Sequence, residues 1–182
     1  MKRFPALLMA ILVIGALAIP AGAAPEPAQR YDLDDETNTT ASFTSEPQVG
    51  TNVAFLLDGT ATDYSCEDTP EAQCERVFLA VRGLTDAEIA ANPNATDTVN
   101  VTAIIDNYSV PVADFDLRVY HSDVDGNIYD QAGEQSGNNP GDAESVYAST
   151  KTTAANPVKY LMVEVVVFAS PGSTYDMDIS VS

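Results

Sequence analysis

Apolar and polar residues alternate strictly through much of the chain, and this period of two predicts β-strands. Between residues 113 and 121, Phe115, Leu117 and Val119 fall on one face of an extended segment. Asp114, Asp116, Arg118 and Tyr120 fall on the other, which is the pattern of a half-buried strand. The steps Asp125-Gly126 and Gly126-Asn127 then favour a chain reversal, and Ile128 and Tyr129 begin a returning arm. The same alternation gathers Val99, Val101, Ala103 and Ile105 on one face, and Tyr175, Met177, Ile179 and Val181 on another. Over residues 76–83, Val77, Leu79 and Val81 alternate with Phe78 and Ala80, so that strand is expected to be buried on both faces. Further strands are expected around Phe43, over 52–57, in ESVYAS and along VKYLMVEVVVFAS. Residues 131–142 read as a polar Gly/Asn/Pro loop. One short helix is predicted, because Thr85 and Glu88 form a capping box and Asn92-Pro93 ends the helical run. Short strands separated by turn signals define an all-β, antiparallel β-sandwich.

The N-terminal pattern is different. Lys2 and Arg3 precede a short apolar run from Ala6 to Ile19, followed by Ala21-Gly22-Ala23, which reads as a signal peptide over 1–23 with cleavage before Ala24. Residues 24–40 combine proline, acid and small polar groups and are expected to be a disordered tail. Residues 41–182 are then a single sandwich domain, within the usual domain size. The expected destination is the medium or the cell surface, without insertion in the membrane after cleavage.

Charge narrows the partners. There are 27 acidic residues against 8 lysines and arginines, a net charge of −19. Such a surface repels nucleic acid and anionic lipid. Beyond the leader only Lys151 and Lys159 carry ammonium groups. Acid in this excess with so little lysine resembles proteins of salt-loving microbes, whose self-repulsion is relieved by screening. Cys66 and Cys74 are the only cysteines, and in an exported chain an even count is expected to pair as a disulfide.

The run DFDLRVYHSDVDGN, a polar loop, GDAESVYAS, the long strand VKYLMVEVVVF and then SPGSTYDMDISVS resembles the bacterial and archaeal pre-peptidase C-terminal domain. The resemblance covers roughly residues 98–182 and rests on the Asp-rich entry to the hairpin, the Glu144-Ser145 step and the Gly172-x-x-Tyr175 start of the last strand. It implies a jelly-roll-like sandwich with a non-catalytic role, as a secretion-associated module or one that contacts a substrate or matrix. Some members of that family bind calcium. The Cys66–Asn92 segment does not align with the family, and no peptidase domain accompanies it in this sequence.

Calcium is the cofactor that the residues themselves point to, since it takes six to eight oxygen ligands. Asp114, Asp116, Asp123, Asp125 and Asn127 offer several within one hairpin. The EF-hand template is not met, because His121 stands where its first acid belongs and Ala132 where its bidentate glutamate belongs. The alternative is a solvated turn. Hydrolytic chemistry has less to build on: His121 is the only histidine, no GxSxG elbow occurs and Ser136 lacks a base in sequence. Asn38, Asn94, Asn100 and Asn107 head N-glycosylation sequons, with Asn94 the first candidate and Asn100 the second. The expected function is a non-enzymatic module that binds an extracellular protein or polymer. The alternatives are an accessory or inhibitor protein of a secreted peptidase, and a carboxylate-based hydrolase.

Overall fold

A computed structural model describes residues 29–51, 74–133 and 135–182. Among these, ten strands and one helix follow in order: β1 Gln29–Asp34, β2 Thr40–Thr44, β3 Gln48–Thr51, β4 Cys74–Arg82, α1 Asp86–Ala91, β5 Thr96–Asp106, β6 Asp114–Ser122, β7 Ile128–Gln131, β8 Glu144–Thr153, β9 Val158–Ser173 and β10 Asp176–Val181. The leader expected over 1–23 and the strand expected over 52–57 lie outside the described residues.

The strands form two sheets packed as a sandwich. One has the order β1-β4-β9-β6-β7, with β3 also paired to β9; the other has the order β2-β10-β5-β8. The sixteen-residue β9 is the spine of the larger sheet: Arg82 to Cys74 pair antiparallel with Val158 to Val166, and β3 continues along the same side from Thr51↔Ala169. The predicted inward faces meet between the sheets. Val77, Leu79, Phe115 and Leu117 of the larger sheet and Val99, Ile105, Met177 and Ile179 of the smaller are at most 1% exposed. Tyr175 wedges its ring between the layers, 5.3 Å from Phe115 in an edge-on contact, and its hydroxyl donates to Glu75 Oε2 at 2.7 Å.

Two expectations need correcting. The stretch expected as a tail contains β1, which pairs with β4 in parallel, from Gln29↔Val77 to Asp34↔Arg82. Leu33 is buried, Tyr31 packs on the core, and the Arg30 guanidinium lies 4.6 Å from the Phe78 ring centroid. Asp34 ends the strand by accepting the backbone N–H groups of Glu36, Thr37 and Asn38, and the Thr37 bonds push its carboxyl down to about 2. The acid there serves a turn, and the chain crosses to β2 in the other sheet. The second correction concerns β6: it is covered on both faces, since Arg118 and Tyr120 are buried along with Leu117 and Val119.

Three predicted local features are present. α1 carries its capping box, with Glu88 N–H donating to Thr85 Oγ1 and Thr85 N–H donating to Glu88 Oε2. The β6–β7 hairpin forms, with Gly126 at φ 90° in its turn. The polar loop after β7 does more than connect. Ala132 N–H donates to Val119 O, Leu117 and Ser136 exchange backbone hydrogen bonds of 2.9 Å, and Gly133 bridges Ala148. This joins β6 of one sheet to β8 of the other along one edge. A Cβ on Gly133 would lie 2.1 Å from Tyr147 O, so only glycine permits that approach.

Candidate functional site

The five residues expected to hold calcium are carried to opposite ends of β6. Asp114 and Asp116 open the strand and Asp123 follows its last residue. Seven residues at about 3.3 Å each separate Asp116 from Asp123 by roughly 23 Å. One cation cannot reach both groups. Asp123 is instead the acceptor that builds the hairpin turn: Oδ1 takes the N–H groups of Asp125 at 3.0 Å and Asn127 at 2.9 Å, and Oδ2 takes Asn127 Nδ2 at 2.8 Å. The Asn127 bonds hold its carboxyl below the ordinary aspartate value. The turn folds Gly126 over Met162 and Phe78. Among the described residues no three His, Cys, Asp or Glu side chains are grouped to hold a metal ion. The expected five-ligand site is therefore replaced by a turn at one end of the strand and a carboxyl cluster at the other.

That cluster is tightly held by burial and hydrogen bonds. Glu144, the first residue of β8, is 1% exposed. It accepts Asn138 N–H on Oε1 at 2.7 Å and the Ser136 hydroxyl on Oε2. Burial pushes its carboxyl up, the two hydrogen bonds oppose that, and the charges of Asp114 and Asp142 add to the rise. Gly137 sits directly over Asp116, where a Cβ would come within 3.2 Å of Oδ1. Asp116 is pushed up to about 6, first by burial and then by Asp114, against the opposing effect of Arg118. The Tyr108 hydroxyl is buried beside Glu144, and burial with the nearby carboxylates raises its pKa. Chemically, the arrangement clasps the 132–143 loop onto β6 and β8. Ser136 spends its proton on Glu144, while His121 lies near the far end of β6 and stacks on Tyr129 with ring centroids 6.0 Å apart.

Sequence reasoning missed a second polar feature. The outward faces of β4, β9 and β6 align Arg76, Glu164 and Arg118 in one cross-strand row. Arg76 Nε and Nη2 both donate to Glu164 Oε2, at 3.0 and 2.9 Å, with side chains 1% and 0% exposed. The next row, Phe78, Met162 and Tyr120, is a small apolar cluster of its own. The available signal was a single glutamate inside the apolar run of β9, since a charge placed there needs a buried partner.

The solvent face of the four-stranded sheet has a different character. From edge to edge it presents Ser42, Asp178, Ile104 and Ser145 in one register row, and Thr40, Ser180, Thr102 and Tyr147 in the next. The side chains are tied to one another. Ser42 donates to Asp178, Thr44 to Asp176 Oδ1 at 2.6 Å, and the Tyr147 hydroxyl to Asn100 Oδ1 at 2.6 Å. Ile104 is 37% exposed and Tyr147 49%. Of the other predicted residues, Asn94 lies in the exposed turn between α1 and β5, and Cys74, which opens β4, is not a free thiol. Cys66, its expected partner, lies outside the described residues. No protein-family model matches the chain, and no curated protein matches it.

Proposed function

We propose that this chain is an exported, non-catalytic β-sandwich that acts at the cell surface or in the medium as a binding or structural module, with the solvent face of its four-stranded sheet as the contact surface. The observation that carries this reading is the composition of that face. It is a broad, hydrogen-bonded array of Ser, Thr, Asn and Asp side chains, interrupted in adjacent rows by the exposed Ile104 and Tyr147. An exposed aromatic ring with a polar tip on the edge strand β8, beside the exposed Ile104 of the neighbouring β5, gives this hydrogen-bonding surface the kind of anchor that recognition of an extracellular protein or polymer uses. The carboxyl clusters, by contrast, are occupied in holding turns and loops. The C-terminal resemblance implies a role of the same kind. A leader cut before Ala24 and a bridge between Cys66 and Cys74 belong to this reading, and intact mass of the exported protein checks both.

The test compares the parent with an Ile104→Thr, Tyr147→Ala double variant for retention on envelope and extracellular polymer from the producing cells. Retention should fall about tenfold or more, roughly 1.4 kcal/mol or more, while the melting temperature stays near that of the parent. Equal retention of a folded variant would remove this face from the reading. Co-purification of a secreted peptidase in place of polymer would favour the accessory or inhibitor role.

A further inference from the structure

Four sequons are present, and the structure separates them by what each asparagine amide is already doing. Asn38 Nδ2 donates to Asp32 O, fixing the turn between β1 and β2. Asn107 Nδ2 donates to Asp176 Oδ2 at 3.2 Å, and its backbone is held at φ 52°. Asn100 is half-buried at the centre of a sheet, paired in the ladder with Ser149 on one side and bonded through its backbone to Ser182 on the other. Its side chain also accepts the Tyr147 hydroxyl.

Asn94 is different. It is exposed in a turn held by Ala95 N–H donating to Asn92 O at 2.9 Å and by its own N–H donating to Asn92 Oδ1 at 3.0 Å, so its backbone is set while its side-chain amide makes no hydrogen bond among the described residues. Thr96, which supplies the sequon hydroxyl, is exposed as the first residue of β5. The turn lies on the rim of an open groove of about 520 Å³, with Leu84, Glu88 and Ala91 along its wall, which leaves room for sugar rings beside the acceptor.

We infer that Asn94 is the N-glycosylation site of this protein and that the other three sequons stay bare. The chemistry joins Asn94 Nδ2 to the anomeric carbon of an oligosaccharide delivered by a lipid-pyrophosphate donor. The C–O bond to the pyrophosphate breaks, the pyrophosphate leaves with the electron pair, and the amide gives up one proton. The inference rests on the export reading, since the donor and its transferase act on chains that leave the cytoplasm.

The experiment uses full-length protein isolated from the producing cells, with its N-terminus and its peptide masses read separately. The expected result is a leader-cleaved protein whose Asn94 peptide carries the glycan mass, with the Asn38, Asn100 and Asn107 peptides unmodified and the added mass lost in Asn94→Gln. Asn100→Gln should keep it. A cleaved, exported protein with bare Asn94 overturns this inference and leaves the export reading intact. An uncleaved protein inside the cell with bare Asn94 overturns both, and a glycan on any other sequon overturns the assignment to Asn94.

Discussion

A carboxyl group held under a loop is sensitive to a single proton. Asp116 has its pKa raised to about 6, chiefly because Gly137 and the loop around it remove water from the carboxyl. A group whose folded pKa lies above its unfolded value contributes stability when protonated and loses that contribution as pH rises through the folded value. Stability should therefore increase as pH falls from about 7 to about 5, with Asp114 and Glu144, both raised by burial, adding in the same direction. Below about 4 the sign reverses, because Asp34 and Asp123, held low by turn hydrogen bonds, begin to lose theirs. Asp116→Asn keeps the shape and removes the charge. At pH 7.5 it should raise stability by about 1 kcal/mol once partial solvent exposure is allowed for, and it should flatten the rise between pH 7 and 5. Urea denaturation of parent and variant across that range checks both. A variant less stable than the parent at pH 7.5 would mean that the Asp116 charge is well compensated by Arg118.

Among the elements, β1 shows best where reading the sequence succeeds and where it stops. Strands β5 and β10 were legible because four apolar residues at period two leave only one way to bury them, and α1 was legible because its capping box is a local hydrogen-bond pattern. In β1 only Tyr31 and Leu33 alternate, amid Arg30, Asp32 and Asp34. Its strand state depends on the exposed edge of β4, a partner more than forty residues away in sequence, which no local pattern reports. The expected five-ligand hairpin failed for a related reason. Spacing in sequence places Asp116 near Asp123, whereas an extended strand between them drives the two apart. Glu164 stands inside the apolar run of β9 and Arg76 near the start of β4, and nothing in the sequence joins them, because their contact follows from strand order and register. If β1 is part of the core, Leu33→Ala should cost about 2–4 kcal/mol, measured by denaturant unfolding of the full chain. Asp32→Ala, exposed on the same strand, should change stability by less than about 0.5 kcal/mol. A loss below about 1 kcal/mol for Leu33→Ala would return residues 29–34 to the status of a tail.

For the molecule as a whole, the net charge of −19 is the dominant property outside the core. The described ion pairs do little to offset it. Arg76–Glu164 is buried and neutral as a pair, and Arg82–Asp86 is an exposed helix-end contact. Acids such as Asp32, Glu36, Glu46, Asp125, Asp130 and Asp178 are exposed, and the sequence holds few cations to offset them, so the compact state carries a repulsive energy that the expanded chain partly escapes. Mobile ions reduce that energy over a Debye length of about 10 Å at 0.1 M salt and about 3 Å at 1 M. At the second distance exposed charges more than a few ångströms apart are largely screened, so screening should be nearly complete by about 1 M. The melting temperature is therefore expected to climb by several degrees between about 0.1 and 1 M sodium chloride and then to flatten, at a fixed pH of about 7.5 where the raised carboxylates are charged. The curve for Asp116→Asn should run parallel to that of the parent, because one charge among so many barely alters the total. A midpoint that is flat or falls over this range would show that repulsion is compensated within the fold, and the salt-adapted reading of the composition would fall with it.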